Sequence, residues 1–99
     1  MTRHIVMFKF KGSAEERVAA AKEFKVALDA LPEVIEKLQM MEVGINDNPK
    51  EEWDLVLTAT AASPEDVAEY SAHPAHVAAV ALVKARIESR ACVDYNLEV

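Results

Sequence analysis

The sequence predicts an α+β fold, a four-stranded antiparallel sheet with two helices on one face and its elements in the order β-α-β-β-α-β. Three observations predict it. Four stretches rich in β-branched and aromatic residues read as strands. Two other stretches carry apolar residues at spacings of three and four. Serine caps and glycine, asparagine and proline turns punctuate the boundaries between them.

The first strand runs from about Arg3 to Lys11. Its even face reads His4, Val6, Phe8 and Phe10; its odd face reads Ile5 and Met7 before Lys9 and Lys11. A strand that starts apolar toward both faces belongs to a sheet covered on both sides. Gly12-Ser13 breaks the strand, and Ser13 followed three residues later by Glu16 is a capping box that satisfies the first free amides of a helix. That helix has the inward stripe Ala21, Phe24, Leu28 and Leu31, with Glu15, Glu16, Lys22, Glu23 and Asp29 on the water side, and Pro32 ends it.

A second strand is expected from about Ile35 to Ile45, apolar toward both faces over Leu38 to Val43 and closed by Gly44 and Asn46-Asp47-Asn48-Pro49. Trp53 to Thr60 is the third strand. Trp53, beside Glu51 and Glu52, reads as a packing residue or interface anchor. Ser63-Pro64-Glu65-Asp66 then supplies an N-cap serine, proline at the first helical position and carboxylates at the positive end of a helix dipole. This second helix turns Val67 and Tyr70 inward and bends at His73-Pro74, since a proline disfavours helical geometry in the residue before it. It is expected to continue to about Ser89 with the stripe His76, Val80, Val83 and Ile87. The last strand, Ala91 to Val99, alternates Ala91, Val93, Tyr95, Leu97 and Val99 against Cys92, Asp94, Asn96 and Glu98.

This order is the ferredoxin-like arrangement. The 99 residues form one domain, 1–99, without a repeat or linker. Two helices cover one sheet face only. With 52% hydrophobic residues, the chain has apolar side chains such as Ile5, Met7 and Met41 left for the other face. A homodimer packed sheet to sheet is therefore expected, its eight strands forming a dimeric α/β barrel.

The formal charge of −6 and the lack of a clustered Lys/Arg face argue against nucleic acid as a partner. No segment approaches the roughly 18 apolar residues of a membrane span. No charged leader precedes the first strand, and the single cysteine, Cys92, excludes an intrachain disulfide, so a cytoplasmic protein is expected.

Four segments carry a family resemblance: His4-Ile5-Val6-Met7-Phe8-Lys9-Phe10, Glu42-Val43-Gly44, Tyr70-Ser71-Ala72-His73-Pro74-Ala75-His76-Val77 and Val93-Asp94-Tyr95. In that order and at those separations the chain resembles the stress-responsive A/B barrel domain family, over nearly its whole length. The His-Pro-Ala-His segment is the most specific part. The resemblance implies a dimeric α/β barrel with room for a small-molecule pocket between helices and sheet. Olivetolic acid cyclase-like members of the family, which are polyketide cyclases, use a tyrosine and a histidine at positions matching Tyr70 and His76, with a further histidine matching His4. The chain departs from them on the third strand, where Leu55 stands in place of another pocket histidine.

His76 shares its stripe with Val80, Val83 and Ile87, so its imidazole points toward the sheet, and a buried imidazole is held in its neutral, basic form. As a general base it can take a proton from an activated carbon. Tyr70, across the bend, can donate to a developing oxyanion, and His4 can close the site from below. The candidate catalytic set is thus His76, Tyr70 and His4, in a pocket walled by Val6, Phe8, Phe24, Leu28 and Val80. The alternative is that His76 bonds a backbone group at a helix start, His73 is a turn residue and Tyr70 is ordinary core. His73 and His76, three apart, share a helix face as a metal pair would, but no convergent acidic or cysteine ligand accompanies them. No metal and no cofactor is expected. Cys92 has no cationic sequence neighbour to activate it and reads as structural.

Two function classes follow. One is a small-molecule protein with cyclase-like acid/base chemistry, or with binding alone, acting on a small apolar or aromatic acid. The other is a stress-related or structural dimer whose pocket is filled by its own side chains. Bulky Phe8, Phe24 and Leu28 favour the second; small Ala78, Ala79 and Ala81 favour the first. Cofactor-free monooxygenases, which share the barrel architecture, form a weaker third class.

Overall fold

A computed structural model describes residues 1–97. The capping box opens the first helix as expected: Ser13 Oγ accepts from the Glu16 amide and Glu16 Oε1 from the Ser13 amide. Strand β1 (Thr2–Phe10) leads into helix α1 (Ala14–Asp29), followed by strands β2 (Met40–Ile45) and β3 (Leu55–Ala61). Helices α2 (Pro64–Ala72) and α3 (Pro74–Ala81) precede strand β4 (Ile87–Asn96). Among the described residues the sheet has four strands in the order β2-β3-β1-β4, all antiparallel. This is the ferredoxin-like order. Within one chain the sheet is open.

Several boundaries differ from expectation; the third strand, for one, begins at Leu55 and not at Trp53. The second strand begins at Met40, not Ile35, because 31–38 is wound into turns. Leu31 O accepts from the amides of Val34 and Ile35, and Ile35 O from that of Leu38. Ile35 and Leu38 are buried in the core without being strand residues. The second helix is two helices. Pro64 and Pro74 each stand in a first turn, and His73, at φ −61° and ψ 136°, is extended between them. α3 ends at Ala81, well short of Ser89, because the chain from Ile87 joins β1: Phe10 pairs with Ile87, and Arg86 O accepts from the Lys11 amide at 2.7 Å. Ladder bonds to a central strand outweigh the helical stripe there. The last strand accordingly starts at Ile87, not Ala91, and its expected end at Val99 lies outside the described residues.

Register decides the faces. Val6 lies opposite Leu57 and Cys92, and Phe8 opposite Leu55 and Arg90, so even residues of β1 and β4 and odd residues of β2 and β3 face the helices. There Val6, Phe8, Phe10, Phe24 and Leu28 form the centre of the core, with Phe8 and Phe24 edge to face at 5.1 Å. The opposite face carries Ile5, Met7, Val56 and Val93. Met41, expected there, pairs with Ala59 and packs against the core; Met40 takes its place on the open face.

Candidate functional site

Three residues far apart in sequence converge where β1 and β4 meet α2 and α3. His4 comes from β1, Tyr70 from the last turns of α2, and His76 from the first turn of α3. The Tyr70 ring lies between the two imidazoles, its centroid 6.0 Å from that of His4, edge to face, and 4.6 Å from that of His76. Pro74 makes this geometry. By breaking the helix after Ala72 it lets α3 start in a new direction, and His73 caps that start by accepting from the Ala75 amide at 3.0 Å. His73 Nδ1 is thereby occupied in a turn.

Hydrogen bonds define the histidine tautomers. His76 Nδ1 lies 2.9 Å from the Ser71 carbonyl, which can only accept, so Nδ1 carries the proton and Nε2 the lone pair. His4 Nδ1 lies 2.5 Å from Asp94 Oδ1 and donates to that carboxylate by the same argument. Burial pushes the His76 pKa below the usual histidine value. The Ser71 bond opposes that shift, and the charges of His4 and Arg90 add to it. A neutral imidazole with a free Nε2 is the form a general base requires.

Tyr70 is 1% exposed, and its hydroxyl is buried with no hydrogen-bond partner among the described residues. Burial raises its pKa, with Arg90 opposing, so the hydroxyl stays protonated and keeps its proton to donate. Buried hydroxyls are normally paired. This one is a donor in reserve.

Val80 and His76 line a cleft of about 300 Å³ together with Ser71, Val77, Ala81 and Lys84, whereas Tyr70 and His4 lie buried behind His76 and do not line it. Val6, Phe8, Phe24 and Leu28, the other residues expected to wall a pocket, are 4% exposed or less and close-packed in the core. The wall beside His76 is made instead by Val77 and Ala81, with the Lys84 ammonium at its edge. A larger apolar cleft of about 370 Å³ lies at the far end of the sheet, lined by Met7, Trp53 and Val56 among others. It contains no histidine and is remote from the cluster.

Arg90, Cys92 and Asp94 complete the surroundings of the three candidates and were not legible as site residues. The alternation of β4 separates them from Val93 and Tyr95 but does not say which set faces the helices. Pairing with β1 decides it, placing His4 opposite Asp94 and Val6 opposite Cys92. The Cys92 thiol, 3.6 Å from His4 Nδ1, has its pKa raised by burial and by Asp94, with Arg90 opposing, so it is not an activated nucleophile.

The family model for the stress responsive A/B barrel domain matches residues 2–97. A dimeric protein of unknown function with a ferredoxin-like fold from Bacteroides fragilis is 41% identical, covers 97% of this chain and 95% of its own, and superposes with a TM-score of 0.92. A family protein from Mesorhizobium loti is 23% identical with a TM-score of 0.76, covering 99% of this chain and 97% of its own. At 14% identity a hydroxynitrile lyase from Passiflora edulis shares the fold, with a TM-score of 0.76 over 98% of this chain and 93% of its own. Among curated proteins none matches significantly. With its model matched from Thr2 to Leu97, the chain belongs to the stress responsive A/B barrel domain family.

Proposed function

We propose that the protein is a homodimer that binds a small apolar or aromatic carboxylic acid beside His76 and transfers a proton on it, in the manner of a polyketide cyclase. The observation that carries this reading is the contact of the buried Tyr70 ring with the neutral His76 imidazole, 4.6 Å between centroids, where the Tyr70 hydroxyl has no hydrogen-bond partner among the described residues. A donor and a base on neighbouring rings are what enolisation next to a carbonyl needs. Neutral His76 removes the proton from carbon, and Tyr70 donates to the oxygen on which negative charge develops. His4, held by Asp94, packs edge-on against Tyr70 and orients its ring. The cleft suits the ligand class: Val77, Val80 and Ala81 meet an apolar body, and Lys84 meets a carboxylate. Dimerisation is supported by the apolar open face of the sheet and by the dimeric Bacteroides fragilis relative.

A second reading, a stress-related or structural dimer without chemistry, is favoured by the packing of Val6, Phe8, Phe24 and Leu28, which fill the space between helices and sheet. Thermal melts of wild type and His76→Ala, screened against aromatic and polyketide-like acids, separate the two. The proposal expects a ligand that raises the melting temperature of wild type by several degrees and leaves His76→Ala unmoved. If no acid shifts either protein and His76→Ala alone lowers the melting temperature by several degrees, His76 is a core residue and the second reading holds.

A further inference from the structure

We propose that His4, Cys92 and Asp94 form a binding site for Zn²⁺ or a similar divalent transition-metal ion. The three residues are 88 to 90 positions apart between strands, and only the β1–β4 pairing unites them. Cys92 and Asp94 stand at i and i+2 of β4 and so share a face, with His4 directly across from Asp94 and diagonal to Cys92. Their donor atoms form a small triangle: Nδ1 to Oδ1 is 2.5 Å, Nδ1 to Sγ 3.6 Å and Sγ to Oδ1 3.6 Å.

That triangle is close to the face of a zinc tetrahedron. With Zn–S of about 2.3 Å and Zn–N and Zn–O of about 2.0 to 2.2 Å, tetrahedral angles put sulfur about 3.6 Å from each light atom and the light atoms about 3.4 Å apart. Both sulfur edges already match. The N–O edge must open by about 0.9 Å as the metal replaces the proton that His4 and Asp94 share. Asp94 and Cys92 are exposed on an edge strand, which gives that edge room to open and the ion a way in. The mixed donor set of thiolate, imidazole and carboxylate favours zinc-like ions over the all-oxygen ligation of magnesium or calcium. Two anionic ligands neutralise the charge, and three protein ligands leave a fourth position open, as in catalytic zinc sites. His4 is buried, and its ring packs against Tyr70, which holds the imidazole plane in advance of binding. Arg90, on the same face of β4, opposes the cation with its own charge.

The site does not depend on proton transfer at His76, and the test reads no activity. Co²⁺, a spectroscopic stand-in for Zn²⁺, is titrated into the full-length protein with a non-thiol reductant, and Zn²⁺ is then used to displace it. The expected result is one equivalent per chain, a near-ultraviolet thiolate-to-cobalt band and visible bands of tetrahedral intensity. Cys92→Ser should abolish the thiolate band and weaken binding at least tenfold. Asp94→Asn should weaken it comparably, and His76→Ala should bind as wild type does. Because Cys92 is exposed, its serine variant keeps the fold, which circular dichroism verifies even if a His4 variant does not. A spectrum without the thiolate band, or Co²⁺ binding that Cys92→Ser leaves unchanged, would place the ion elsewhere and overturn the proposal.

Discussion

Tyr70 carries a hydroxyl that folding has desolvated without a partner among the described residues, a state that costs about 1 to 3 kcal/mol. Tyr70→Phe removes the cost and keeps the ring between His4 and His76. Its melting temperature should therefore match or exceed that of wild type, by up to several degrees for a domain of this size, while ligand response is lost. A variant clearly less stable than wild type would mean that the hydroxyl is bonded in solution. His76 makes a separate prediction. Because burial holds its folded-state pKa below the unfolded value near 6.5, the unfolded chain binds more protons between the two values. Stability is thus fully present above about pH 6.5 and falls as acid takes the pH through the folded pKa. His76→Gln should flatten the melting-temperature profile over that window, and a profile as steep as that of wild type would locate the titration elsewhere.

Pro74 acts on the element, by separating α2 from α3 and aiming His76 at Tyr70. Proline at the first helical position removes no bond that the helix needs, so Pro74→Ala should keep the fold and cost about 1 kcal/mol or less. What it should lose is the ligand-induced rise in melting temperature, because an alanine lets the two helices merge and swing the imidazole. Unfolding of the variant, or an unchanged ligand response, would remove the bend from the account. The elements themselves were legible where signals are local: the Ser13 and Ser63 caps, the α1 stripe and the break before Pro74 all depend on near neighbours in sequence. Boundaries set by distant partners were not. Nothing near Ile87 announces that β1 will take it from the helix. Nor does the alternation of β4 reveal that Asp94 and Cys92 face His4. Tyr70, His76 and His4 could be nominated because a family resemblance pointed at them, whereas Arg90, Cys92 and Asp94 become visible only through strand register.

For the whole molecule, the open sheet face is the feature that a single chain leaves unresolved. Val93 is 59% exposed and Val56 37%, beside the half-buried Ile5 and Met7. Contiguous apolar surface of this kind marks an interface. Sedimentation at micromolar concentration should return the dimer mass, and Val93→Glu, which puts a charge on that face, should return the monomer. A wild-type monomer, or a Val93→Glu protein that is still dimeric, would relocate the interface. The central claim, that Tyr70 and His76 together move a proton on a bound acid, is tested most directly in the intact protein by deuterium exchange. An aromatic β-keto acid is incubated in D₂O, and loss of the proton signal from the carbon next to the carbonyl is followed by NMR. The account predicts exchange accelerated by wild type, slowed at least a hundredfold in His76→Ala and in Tyr70→Phe, and declining as pH falls below the His76 pKa. Exchange at the protein-free rate for every acid that binds, or acceleration that both variants retain, would contradict it.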